Sequence, residues 1–200
     1  MPPKVRISKE KILETSLKMI IEEGYQAVNI KSVAAKLGCS TQPVSWHFGN
    51  MDNFRDELLN MAVLYANKKM MSDYDAPLKA LWHIGVIYLD MAINEPNLFR
   101  FVYMGESGIY NRGGFSSMFT DKGNSELIEK LSVYMAVDKE IAGEFVQKLI
   151  IYTHGIASLF NAGVINGDKE SALLMLNQFA AEQLKLLGVN ADVAYLLEVK

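Results

Sequence analysis

Apolar residues recur along this chain at intervals of three and four, and the alternating runs that make half-buried strands are nearly absent. "SKEKILETSLKMIIEEG" shows the pattern plainly: Leu13, Leu17 and Ile20 share one helical face. Ser8 is placed to cap the start of that helix and Gly24 to end it. A second, short helix, "IKSVAAKL", is predicted after Asn29 and stops at Gly38. A third is expected from about Thr41 to Phe48 with Ser40 as its cap. Asn50 then caps a fourth that runs to about Met71, with Asp52 near its positive end. After the break at "DYDAP" a fifth helix runs from about Pro77 to Asn94, and Pro96 starts a short sixth, "PNLFRFVYM". The stretch "GESGIYNRGGFSSMFTDKGNS" is rich in glycine and serine and interrupts the periodicity. Three more helices are predicted at about 126–136, 139–162 and 169–187, with a turn or two more in the tail. The expected fold is all-α. A three-helix bundle containing a helix-turn-helix occupies residues 1–50, and a larger helical body occupies 51–200.

Composition changes this picture little. Half of the 200 residues are apolar, enough for a sizeable core and a buried oligomer interface. The longest nearly apolar run, "LIIYTHGIASLFNAGVI", is broken by Thr153, His154 and Asn161 and makes a poor membrane span. "MPPKVRISKE" has no apolar core of the kind a signal peptide carries. The single Cys39 rules out an intrachain disulfide framework and fits a reducing compartment, so a cytoplasmic protein with no membrane partner is expected. Charge is more informative. The net charge is −3, yet residues 1–55 hold eight cations against five carboxylates and the remainder twelve against eighteen. A basic head on an acidic body suggests that the head meets a polyanion, although a surplus of three also arises by chance.

The second and third helices with their glycine turn fit a helix-turn-helix. Gly38 can take a positive φ without a Cβ clash, and Ala34 is small enough for the third helix to cross close by. Val33, Leu37, Cys39, Val44 and Phe48 supply the apolar lock, which makes Cys39 a core residue rather than a redox or metal group. Pro43 would occupy the third helical position, with the Ser40 side chain capping the Gln42 N–H. The N-terminal part of such a helix enters the major groove, which places Thr41, Gln42 and Ser45 near base edges. Trp46 and His47 either reach the DNA backbone, or pack on the bundle and cap a helix end. Lys31 and Ser32 suit phosphate oxygens, and Lys4 and Arg6 form either an arm over the DNA or a solvated terminus.

"NIKSVAAKLGCSTQPVSWHFGNMDNFRDEL" resembles the DNA-binding segment of the TetR family of bacterial transcriptional regulators. The resemblance covers roughly residues 8 to 60. It rests on the combination of Ala34, Gly38, Ser40, His47-Phe48 and a helix starting after Asn50. It implies double-stranded DNA as partner, contacted from Lys31, Ser32, Ser40, Thr41, Gln42, Pro43, Ser45, Trp46 and His47. Two positions depart from the family pattern: Ser45 stands where a tyrosine is common and Met51 where a lysine is common. Both changes should weaken nonspecific binding and flatten its salt dependence. Either contact has shifted to Trp46, His47 and backbone N–H groups at the start of the fourth helix, or DNA binding is degenerate.

In the body, large soft side chains recur at helical spacing, and they read either as an ordinary core or as a cavity lining. TetR-like bodies bind small inducers, so the resemblance favours a ligand pocket formed by Trp82, Tyr88, Met91, Phe99, Tyr103, Phe119, Tyr152 and His154. The loop at about 105–124 either gates it or merely connects. "YTHGIASLFNAG" mixes small and large residues, and "ALLMLNQFAAEQLKLL" is apolar around much of its circumference. Two such helices from each of two subunits would make a four-helix homodimer interface through about 139–187, as in TetR-like dimers. An enzyme is not expected. His47, His83 and His154 lack metal-like partners one turn away, and phosphate loops and serine elbows are missing, so no metal or cofactor is expected. The expectation is a dimeric one-component regulator that represses from a palindromic operator and is released by a small apolar or amphipathic ligand. The rival is a helical protein-interaction module that has kept the fold and lost operator binding.

Overall fold

In the computed structural model, residues 7–71, 75–107 and 122–189 are described. The Lys4 and Arg6 arm, most of the glycine-rich segment with Phe119, and the expected tail turns lie outside them. The described residues form α1 (Lys9–Glu23), a 3₁₀ turn (Tyr25–Ala27), α2 (Ile30–Lys36), α3 (Gln42–Phe48) and α4 (Met51–Met70). Then follow α5 (Pro77–Asn94), α6 (Pro96–Tyr103), α7 (Lys122–Met135), α8 (Lys139–Asn161) and α9 (Lys169–Leu186). The chain is all-α, with an N-terminal helix-turn-helix and a larger helical C-terminal part, and no strand occurs among the described residues. α7 starts a turn before the expected 126.

Side-chain caps set four of the helix starts. Ser8 Oγ accepts from Lys11 N at 3.1 Å, Asn50 Oδ1 from Asn53 N at 2.8 Å, and Asp168 Oδ1 from Ser171 N at 2.9 Å. At α2, Asn29 Oδ1 accepts from Lys31 N and Ser32 N, and Ser32 Oγ accepts from Asn29 N, a reciprocal capping box. α3 departs from expectation. Thr41, not Ser40, is its cap residue, with helical dihedrals (φ −68°, ψ −16°) and no side-chain hydrogen bond. The ladder begins with Ser45 N donating to Thr41 O at 3.0 Å, so Pro43 holds the second helical position. Its missing N–H costs nothing there, because that donor has no partner within a helix.

The described residues fall into two compact units, one drawn from Met1–Lys68 and Glu95–Ile109, the other from Lys69–Asn94 and Tyr110–Lys200. In the first, Ile12 and Ile20 of α1, Val33 of α2 and Val44 of α3 are fully buried. Phe48 packs its ring 4.8 Å from that of Phe54 on α4. α6 belongs to this unit. Asn97 Nδ2 donates to Ile21 O at the end of α1 (3.1 Å), the Tyr25 and Phe101 rings lie 4.8 Å apart, and Tyr65 OH of α4 donates to Glu95 Oε1 (2.9 Å).

In the second unit α8 packs against α5, α7 and α9. Tyr88 pairs with His154 and the Ala92 carbonyl with Asn161, so α5 and α8 run parallel. Asp90 pairs with Lys169 while Gly85 meets Leu176, so α9 runs antiparallel to α5. Leu89, Leu131, Ala142 and Ala157 fill the interior.

Candidate functional site

The helix-turn-helix is built around a tight corner. Gly38 takes φ +66°, and Cys39 N donates back to Ala34 O at 3.0 Å. Ala34, Val44 and Phe48 are buried at the corner, whereas Leu37 and Cys39 are only half-buried. With Val44 and Phe48 turned inward, α3 leaves Thr41, Gln42, Ser45 and Trp46 exposed, and Ser40 ahead of it. Pro43 is half-buried beside them. Trp46 is 75 % exposed, the most exposed aromatic in the described head.

Three expected contact residues have defined places. Ser32 spends its hydroxyl proton on the Ala27 carbonyl (2.7 Å) while accepting from Asn29, so it holds the start of α2 together. His47 Nε2 lies 3.0 Å from Ile7 O; a carbonyl can only accept, so the proton sits on Nε2. That bond ties α3 to the strand of chain leading into α1. Lys31 is exposed. Among the described cations from Ser8 to Phe48 it has no ion pair, whereas Lys9 reaches Glu57 (2.5 Å), Lys36 reaches Glu23 (3.0 Å), and Lys11 and Lys18 face Glu14 and Glu22. Four of the five described lysines from Ser8 to Phe48 are therefore paired with carboxylates of the same unit.

The second unit holds a cavity of about 80 Å³ between α5, α8 and α9. Leu78, Leu81, Trp82, Ile84, Gly85 and Tyr88 line it from α5; Phe145, Leu149, Ile150 and Thr153 from α8; Leu176, Ala180 and Leu184 from α9. No charged side chain is among them. Two of its polar groups have partners: Thr153 Oγ1 donates to Leu149 O (2.7 Å), and Tyr88 OH bonds His154 Nδ1 (2.7 Å). Burial holds the His154 pKa below its ordinary value, so the ring is neutral at pH 7.

Of the ligand residues read from the sequence, the structure brings Trp82 and Tyr88 to this cavity, with His154 behind Tyr88. Met91 is fully buried away from the lining, and Tyr152 stacks on Phe179 at 4.0 Å. Phe99 and Tyr103 lie on α6 in the other unit, rings 5.4 Å apart, and Phe119 is outside the described residues. The sequence reading missed the aliphatic half of the lining and Gly85. A glycine inside an otherwise apolar helix was the available signal. A Cβ there would sit 2.9 Å from Leu176 Cδ2, so Gly85 is what lets Leu176 approach α5. Among the described residues no cluster could hold a metal ion, and no helix is long and apolar enough to cross a membrane.

Residues 12–58, which span α1 to the first turns of α4, match the family model described as bacterial regulatory proteins, tetR family. No curated protein matches the chain. Among solved structures, a TetR variant from Acinetobacter baumannii AYE in complex with minocycline aligns with a TM-score of 0.55 at 12 % identity. The alignment covers 90 % of this chain and 96 % of that one.

Proposed function

We propose that this chain, a member of the TetR family of bacterial regulatory proteins and hence a DNA-binding transcriptional regulator, is a dimeric repressor released by a small apolar or amphipathic ligand. The observation that carries the reading is the face of α3. Within the matched segment, Thr41, Gln42, Ser45 and Trp46 stand exposed around a buried Val44 and Phe48. Gln42 suits bidentate bonding to adenine, and Thr41 offers a hydroxyl and a methyl to neighbouring base edges. A seven-residue reading helix covers few base pairs, so two copies on a palindrome are needed for a specific site.

The dimer is assigned to α8 and α9. Ile151, Gly155 and Leu159 recur every four residues along α8, and the two large ones are exposed, as is Leu174 on α9. A second copy covers that stripe. The effector site is assigned to the α5–α8–α9 cavity, and the minocycline complex of the structural neighbour supports small-molecule control. At about 80 Å³ the cavity is smaller than one that admits benzene, about 150 Å³. A ligand must therefore enlarge it by moving Leu176 or Trp82, and that requirement gives it different affinities for two conformations of the body. α5 runs straight into α6 of the head through Glu95, and α4 leaves the head at Lys68, so both connections are routes for the shift.

A helical interaction module without operator binding is favoured by Ser45, Met51 and the paired lysines. Selection of duplexes from a random DNA pool at two salt concentrations separates the readings. An enriched palindrome supports the repressor; no enrichment at either salt supports the module.

A further inference from the structure

Trp46 is the outermost residue of α3. At about 100° per residue, the buried Val44 and Phe48 point one way and Trp46 points opposite to their midpoint. The indole is 75 % exposed and meets the neighbouring His47 ring in an edge-to-face arrangement, at 4.9 Å between centroids. Gln42 lies one turn earlier on the same side, also exposed. α3 carries no Lys, Arg, Asp or Glu, and four of the five described lysines from Ser8 to Phe48 face carboxylates. Among the described lysines of this segment Lys31 alone lacks an ion pair, so burial of area on the base-facing surface is a source of affinity that needs no charge.

An indole offers one N–H donor and a broad apolar face. It cannot distinguish base pairs by a two-point hydrogen-bond pattern. The one apolar group on the floor of the major groove is the thymine 5-methyl. We propose that Trp46 reads a thymine in each operator half-site by burying that methyl under its ring. This rests on the operator reading given above. One helical turn rises about 5.4 Å and one base step about 3.4 Å, so the thymine lies one or two base pairs from the adenine taken by Gln42.

The test uses the full chain and the duplex enriched from the random pool. Each thymine is replaced in turn by deoxyuridine, symmetrically in both half-sites, which removes the methyl and leaves every hydrogen bond. The expected result is one thymine whose replacement weakens binding about fourfold per methyl, about 15-fold for the pair. Trp46→Ala should bind the two duplexes equally, and Trp46→Phe should keep part of the preference. Because Trp46 is exposed, circular dichroism of the variants should match the parent. A flat uridine profile for the parent protein, or an unchanged methyl preference in Trp46→Ala, overturns the contact while leaving the operator reading intact. No enriched duplex overturns the operator reading, and the contact with it.

Discussion

Gln42 and Trp46 share a face but do different chemistry, and single substitutions should tell them apart. In the proposed reading Gln42 bonds a base edge and no phosphate. Gln42→Ala should therefore cost about 1–3 kcal/mol on the cognate site and relax specificity at one position, with the salt dependence unchanged. Competition binding against single-base operator variants checks this, and an unaltered specificity profile would remove Gln42 from the reading set. His154 makes a second residue-scale prediction. Its folded pKa is depressed by burial, so the unfolded chain takes up the proton more readily. The stability it secures is complete above the ordinary histidine value of roughly 6.5 and is lost as pH falls below it. Melting midpoints should fall more steeply below that pH in the parent than in His154→Gln; parallel curves would refute the linkage. The composition of the α3 surface was legible in the sequence. Bonds that close on carbonyls were not. A serine at the start of a helix looks free for a phosphate whether or not its hydroxyl is already given to Ala27, and His47 shows no sign in its neighbours that Ile7 will hold it.

At the scale of helices, Gly85 marks where α5 and α9 meet most closely. Gly85→Ala would push the Leu176 side chain aside, and the void beside it gives that chain somewhere to go. Stability should drop by about 1 kcal/mol, the low end for overpacking, while the cavity fills. Uptake of the neutral dye N-phenyl-1-naphthylamine, read by its fluorescence, should vanish in Gly85→Ala and persist in the parent. Dye uptake equal in both would place the binding site elsewhere. Helix starts were largely readable because a cap is local: Ser8, Asn29 and Asn50 each bond donors within three residues. α3 was misread by one residue at its cap because Thr41 enters with helical dihedrals, so no side chain is placed to close the turn. The cavity was only half readable. Aromatic residues advertise themselves, but aliphatic ones such as Leu149 and Leu176 look the same whether they fill a core or line a void.

Across the whole molecule, the proposed dimer makes the sharpest demand. Ile151 is exposed on the α8 stripe, so Ile151→Glu should leave the protomer folded and place a charge in the interface of a pair. Sedimentation velocity should show a dimer for the parent and a monomer for the variant, with operator affinity falling alongside. A monomeric parent would end the two-headed reading. The all-α class was legible from periodicity throughout. The grouping of helices into units was not, because Asn97 meets the Ile21 carbonyl across 76 residues of sequence and no local pattern announces it.

That pairing has a consequence for the order of events during synthesis. The first unit is completed by α6, and the whole of α5 is made between α4 and α6. A ribosome therefore releases α1 to α4 well before α6, the later partner of α1, exists. Until Asn97 and Phe101 emerge, the Ile21 carbonyl and the Tyr25 ring lack these partners, and the first unit is complete only when over half of the polypeptide has been translated. The same interleaving means that trimming the protein after Lys68 removes α6 and with it the last piece of the first unit.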